Sequence, residues 1–215
     1  MHLLFSRHGD TFEPGQKVVW VGSKNDLPLA SKGKEQAREL AHQLQKRNLS
    51  PIQIICAPLL RTREYGQIII DELGLPISVK VDARLSELDY GEWSGLSSEE
   101  ISLRFGKEVL ENWEKNSVWP KVCGWKSSEG EVLRELRELL AECRTTVSEK
   151  DLILFVTSNG RLRFLLKLIA GEFESRLARQ DFKVKTGNIG LLEDCHRELT
   201  LHQWNVPPAE LRLKG

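Results

Sequence analysis

The chain has 215 residues, enough for one sizeable domain with a full core, and its apolar content is that of an ordinary globular protein. Its 31 Lys and Arg are matched by 31 Asp and Glu, giving a formal net charge of +0. The basic excess of a nucleic-acid binder is therefore lacking, and no nucleic-acid partner is expected. No apolar run approaches the ~18 residues that suggest a membrane span, so no membrane association is expected. The start, "MHLLFSRHGD", is too short in its apolar stretch for a signal peptide, which makes the cytoplasm the expected compartment.

The predicted elements alternate between strand and helix. "HLLFS" (2–6) is a short apolar strand ending at a glycine turn. "KGKEQARELAHQLQKRN" (32–48) is helical, with Ala37, Leu40, Ala41 and Leu44 on one face. A strand over 52–56 is followed by a helix over 59–74 that Gly74 closes. "ISVKVD" (77–82) alternates as a strand does, and 97–116 opens as a helix with a capping box from Ser97 to Glu100. A strong amphipathic helix covers 130–148, a fully apolar strand 151–156, and a further helix 160–172. Two closing strands are predicted over 188–194 and 198–205. This pattern predicts an α/β fold with a largely parallel sheet and helices on both faces.

The stretch 92–130 stands apart. It carries Trp93, Trp113, Trp119 and Trp125 among Gly, Ser and Glu, and reads as an insertion or lid. For any single tryptophan, packing in a satellite core is the preferred reading. As a group they hint at a partly apolar or ring-containing leaving group. The four cysteines, Cys56, Cys123, Cys143 and Cys195, form no CxxC pair, and the five histidines form no HExxH pattern, so neither a zinc site nor a redox motif is suggested.

In open α/β sheets, ligands bind outside the carboxyl ends of the strands. After the first strand comes Arg7-His8-Gly9-Asp10-Thr11, and after the second come Arg61 and Arg63 in the first turn of a helix. The third is followed by Glu87, Asp89 and Glu92, and the fourth by Thr157-Ser158-Asn159-Gly160. An imidazole, guanidiniums and a carboxylate converging on one sheet end suit a phosphoryl group. A neutral imidazole can attack phosphorus and split hydrolysis into two easier steps. Arginines fork onto phosphate oxygens, and a carboxylic acid can protonate the leaving oxygen. Each residue alone has a structural reading as a cap, an ion pair or a solvated charge; four correctly ordered strand ends together do not.

These motifs carry a resemblance. "LLFSRHGDT", "DLPLASKGKEQA", "APLLRTREYG" and "LSELDYGEWSG" stand in the order and spacing of the histidine phosphatase superfamily, the phosphoglycerate mutase-like group. "SSEGEVLREL" and the segment 152–166 also align, so the resemblance spans essentially the whole chain. It implies a three-layer α/β/α sandwich with a mostly parallel central sheet, formed by a single domain over 1–215 with a lid at about 92–130. It implies His8 as the nucleophile that becomes phosphohistidine, Arg7 and Arg61 on the phosphoryl oxygens, and Glu87 as acid and then base. It implies no metal and no organic cofactor, and a small-molecule phosphomonoester as substrate. It leaves the oligomeric state open.

Two positions depart from the family pattern. Pro14 stands where a polar residue, often Asn, is usual, and Ser158 stands where the family places a second histidine. Losing one donor at a developing anion costs ~2.7–4 kcal/mol, or about 10²–10³ in rate. Ser158 and Asn159 offer side-chain donors there, and the backbone N–H groups of Asn159 and Gly160 offer more. Arg161 is expected to face solvent rather than the site.

The expected activity is hydrolysis of a phosphomonoester. A mutase is the alternative within the family, but it needs extra basic groups, and no adjacent arginine pair occurs between 92 and 130. A low-activity or non-catalytic phospholigand-binding protein is the alternative that Ser158 raises. A cysteine phosphatase is disfavoured, because "CAPLLR" gives C-x4-R where that chemistry uses C-x5-R.

Overall fold

Period-two alternation along the strands sorts the core into two layers. In the computed structural model, which describes residues 1–213, the first strand β1 (His2–Arg7) sends Leu3 and Phe5 to one face of the sheet and Leu4 to the other. The Leu4 face packs on Leu40 and Leu44 of α1 (Ser31–Lys46) and on Tyr65 and Ile69 of α2 (Leu60–Leu73). The Phe5 face packs on Leu136 and Leu140 of α5 (Glu129–Thr146), Leu162 of α6 (Asn159–Leu165) and Trp113 of α4 (Lys107–Asn116). The result is the expected three-layer α/β/α sandwich.

The sheet has six strands in the order β3-β2-β4-β1-β5-β6, with β2 (Gln53–Cys56), β3 (Lys80–Val81), β4 (Leu152–Thr157), β5 (Ile189–Cys195) and β6 (Glu198–Val206). β1 and β2 both run parallel to the central β4, while β5 pairs antiparallel with β1 and β6 antiparallel with β5. Register across the parallel core pairs Phe5 with Phe155, whose rings stack 4.5 Å apart, and Arg7 with Thr157. Cys56 pairs with Val156, so three strands end at one level. That level holds the site.

Several boundaries differ from expectation. Of the strand expected over 77–82, only Lys80–Val81 pairs; both are exposed at the sheet edge, where alternation has no buried face to fix it. The helix expected over 97–116 is two helices, α3 (Ser98–Phe105) and α4, broken at Gly106 with φ 97°. The capping box Ser97–Glu100 is present at its start, and a second, Ser128–Glu131, opens α5. The helix expected over 160–172 tightens into a 3₁₀ turn at Leu166–Leu168 and stops, and α7 (Glu172–Arg179) begins anew after Gly171. Gly74 closes α2 in the left-handed conformation, φ 60°. Among the described residues no helix is long and apolar enough to cross a membrane.

Candidate active site

The backbone N–H of His8 continues the β1–β4 ladder by donating to the Thr157 carbonyl at 3.0 Å. Gly9 follows, and it must be glycine: a Cβ there would overlap the backbone of Gly33 in the first turn of α1. This contact turns the chain and leaves His8 6% exposed at the sheet end. Its Nδ1 lies 2.7 Å from the Gly9 carbonyl, which can only accept, so the proton sits on Nδ1. Nε2 then carries a lone pair, and it accepts from Arg61 Nε at 3.2 Å.

Arg61 is buried in the first turn of α2, and its other nitrogens donate to the carbonyls of Asn25 and Gly22, each at 3.0 Å. Arg7 donates from Nη1 to the Val184 carbonyl at 2.8 Å, while its Nε is buried with no partner among the described residues. Burial holds the imidazole well below the ordinary histidine range, and the positive charges of Arg61 and Arg7 push it further down. His8 is thus kept neutral beside two guanidiniums.

Glu87 sits on a turn clamped from β4 and α6. Thr157 Oγ1 donates to the Leu85 carbonyl at 2.6 Å, and Arg161 Nε donates to the Ser86 carbonyl at 2.9 Å. Glu87 Oε1 accepts from the Leu88 N–H at 2.9 Å. Space for this carboxylate comes from Gly160, where a Cβ would overlap both Glu87 Oε1 and the Tyr90 hydroxyl oxygen.

A cavity of about 550 Å³ opens on these groups, and Arg7, His8, Arg61, Glu87 and Asn159 all line it. Asn159 Oδ1 accepts from the Val184 N–H at 2.8 Å. Ser158, expected at the phosphate, is fully buried and outside the cavity lining, and its Oγ has no hydrogen-bond partner among the described residues. Arg63 and Pro14 are exposed and away from the lining. Asp89 pairs with Lys24 at 3.2 Å and caps the Gly91 N–H, and Glu92 pairs with Arg104 at 2.7 Å. Arg161 does not face solvent: it is buried and pairs with Glu135 of α5 at 2.6 Å, because a guanidinium that braces the Ser86 carbonyl must lie beneath the turn.

The tryptophans also fall differently from the hint of a ring-binding lid. Trp93 and Trp113 are fully buried in the main core, and Trp125 stacks edge-on against both, at 5.1 and 4.7 Å. The preferred reading of core packing holds for them. The tryptophan that lines the cavity is Trp20, on the loop after β1, beside Phe12 and Val19. Cys56, the residue of the disfavoured cysteine reading, is fully buried, and burial pushes its thiol up to about 12.

Sequence reasoning missed Arg163, Lys183, Tyr90 and Glu114, all of which line the cavity. Tyr90 lay within the quoted "LSELDYGEWSG" three residues after Glu87, a signal that could have been used. Lys183 belongs to no predicted element and had none. Among the described residues no group of three or more His, Cys, Asp or Glu is gathered as metal ligands would be.

A neutral histidine and two arginines at the carboxyl end of a mostly parallel sheet, facing a carboxylate across a cavity, define a class, and comparison with known proteins agrees. The model of the histidine phosphatase superfamily (branch 1) matches residues 3–207, and the chain belongs to that family. It is similar to the 2,3-bisphosphoglycerate-dependent phosphoglycerate mutase of Methylobacterium sp. (strain 4-46), 27% identical over 79% of this chain and 80% of that protein. Among solved structures it is similar to a mycobacterial glucosyl-3-phosphoglycerate phosphatase, with TM-score 0.80 and 23% identity over 96% of this chain and 99% of the other. A further likeness is to a putative alpha-ribazole-5'-P phosphatase from Escherichia coli, with TM-score 0.76 and 19% identity over 100% and 99%. At these identities the structural likeness is one of fold.

Proposed function

We propose that the protein hydrolyses a small phosphomonoester through a phosphohistidine formed on Nε2 of His8. The observation that carries this reading is the tautomer. The Gly9 carbonyl claims the proton of Nδ1, so Nε2 carries the lone pair, held by Arg61 Nε at 3.2 Å, on the wall of a cavity lined by Arg7 and Arg61. Nε2 attacks phosphorus, and the P–O bond to the alcohol breaks as the N–P bond forms. Arg7 and Arg61 hold the equatorial oxygens as charge spreads over them, and the amide of Asn159 adds a neutral donor. Glu87, on the cavity wall, gives its proton to the leaving oxygen. It then takes one from the water that attacks the phosphohistidine, releasing phosphate and restoring His8. The Ser158 hydroxyl has no part in this sequence.

Support comes from family membership and from relatives whose names are those of phosphatases and mutases. The mutase reading draws on Arg163 and Lys183, basic groups in the cavity that do not come from the 92–130 stretch. A coupled assay separates the two, and hydrolysis of 3-phosphoglycerate faster than its isomerisation is expected. A screen of phosphomonoesters with wild type and His8→Ala tests the reading as a whole: turnover by wild type and none by the variant is expected. Tight ligand binding without turnover by wild type would instead make the protein a phospholigand binder. The cytosol is the compartment proposed for it, and fractionation of cells tests that.

A further inference from the structure

The acid of the proposed reaction stands on backbone that no helix or strand fixes. Glu87 follows a 3₁₀ turn at Ala83–Leu85 and precedes another at Gly91–Trp93, and residues 86–90 belong to neither. Leu85 and Leu88 are fully buried and anchor the stretch by their side chains, which does not set the tilt of the peptide groups between them. Side chains set that tilt instead. The Leu85 carbonyl accepts from Thr157 Oγ1 at 2.6 Å, and the Ser86 carbonyl accepts from Arg161 Nε at 2.9 Å. Both donors belong to one short run of chain. Thr157 ends β4, Asn159 lines the cavity, Gly160 leaves the space that Glu87 Oε1 fills, and Arg161 lies in the first turn of α6.

Arg161 is an expensive residue for packing alone. Its guanidinium is buried, and Nη1 pairs at 2.6 Å with Glu135 of α5, a carboxylate that is itself only partly exposed. Such a pair adds little net stability, because removing two charges from water offsets their attraction, and apolar side chains of similar volume serve a core as well or better. A directed donor is what they cannot supply. The guanidinium is planar and rigid, so holding it at Nη1 also fixes the direction of Nε. Glu135 thus aims Arg161 at the carbonyl that immediately precedes Glu87.

We infer that Arg161, held by Glu135, is a positioning residue of the reaction: through the Ser86 carbonyl it sets the direction in which the Glu87 carboxyl meets the leaving oxygen. Arg161 does this without lining the cavity itself. The inference rests on the reading of Glu87 as the acid. It gives α5, which supplies no residue to the cavity lining, a part in proton transfer.

Leaving-group dependence tests this. Arg161→Met keeps much of the side-chain volume and removes the donor. With propyl phosphate, whose alcohol must gain a proton as it departs, kcat should fall by about 10–10²-fold, while KM changes by about threefold at most. With p-nitrophenyl phosphate the loss should be about twofold or less. Glu135→Gln, at a partly exposed position, keeps an acceptor for Nη1 and removes the charge. It should show the same selectivity at severalfold, and it carries the test if Arg161→Met fails to fold. In a Glu87→Gln background, Arg161→Met should bring no further loss, because a residue that acts only through Glu87 has nothing left to position. Equal losses on the two substrates, or a full further loss in the Glu87→Gln background, overturn the inference and leave Arg161 a structural residue. A crystal structure of the Arg161→Met protein, or of Glu135→Gln in its place, reads the placement without turnover. A shifted Ser86–Leu88 turn on an unchanged sheet is expected, and a turn that has not moved overturns the inference. If the turn shifts while Glu87→Gln itself shows no preference between leaving groups, the acid assignment has failed and the placement by Arg161 has not.

Discussion

Arg61 Nε donates to Nε2 of His8 at 3.2 Å, the same nitrogen that must attack phosphorus. Before substrate arrives, the arginine therefore occupies the nucleophile's lone pair; afterwards its donors can turn to the phosphoryl oxygens. Two backbone carbonyls, of Gly22 and Asn25, hold the rest of the guanidinium still. Arg61→Ala should lower kcat by about 10²–10³, the usual loss of one donor at a developing anion. Arg61→Lys, which cannot fork onto two carbonyls and an oxygen at once, should recover little of it. Steady-state kinetics on both variants check this.

The buried, neutral state of His8 has a consequence for pH. Its proton affinity in the folded protein lies well below the ordinary value of 6.5, through burial first and then Arg61 and Arg7. Below about pH 6.5 the unfolded chain therefore binds a proton that the folded chain refuses, so this site contributes stability at neutral pH that is lost as pH falls. His2, also lowered by burial, acts in the same direction. The melting temperature should drop between pH 7 and pH 5, and the drop should be smaller in His8→Gln. A resonance of His8 that titrates at or above pH 6.5 would contradict the assignment.

Ser158 stands where a second histidine was expected from the family pattern, but its Oγ is buried without a partner among the described residues and lies outside the cavity lining. Ser158→Ala should change kcat/KM less than threefold. It should leave stability unchanged or raise it by up to about 1 kcal/mol, because an unsatisfied buried hydroxyl is removed. Asn159→Ala, which removes an amide on the cavity wall and the acceptor of the Val184 N–H, should lower both activity and stability. Kinetics and thermal melts of the two variants, measured side by side, distinguish these outcomes.

Gly160 is where the Glu87 carboxylate and the Tyr90 hydroxyl leave no room for a Cβ. Gly160→Ala should push Glu87 out of place and cost about 10²-fold or more with alkyl phosphates, the usual contribution of a general acid. With p-nitrophenyl phosphate, whose leaving group needs no proton, the loss should be much smaller. Equal losses on both substrates would mean that Glu87 is not the acid.

What could be read from sequence was what lies next to an apolar strand. Arg7 ends β1, His8 follows it, and Asn159 stands two residues past β4, and the parallel register brings these strand ends to one level, so chain order alone predicts that they meet. Arg61 was legible as the first turn of the helix after β2. Arg163 was not: α6 is only seven residues long and carries two arginines. Periodicity over so short a helix cannot tell that Arg161 braces the Ser86 turn while Arg163 reaches the cavity. Lys183 and the Phe12–Trp20 loop lie in irregular backbone, which has no period to read. The tryptophans of 92–130 could equally line a site or fill a core from composition alone, and three-dimensional packing against α4, α5 and α6 decides it. Gly106, which splits the predicted 97–116 helix at φ 97°, is a break that the helical period on either side of it does not reveal.

The central claim is that Nε2 of His8 takes the phosphoryl group. Rapid-quench mixing with a ³²P-labelled phosphomonoester, quenched into alkali where phosphohistidine survives, reads it directly. Label should appear on wild-type protein before free phosphate accumulates, map by mass spectrometry to His8, and be absent from His8→Ala. Hydrolysis by wild type with no protein-bound label at any time, or label on another residue, would contradict it.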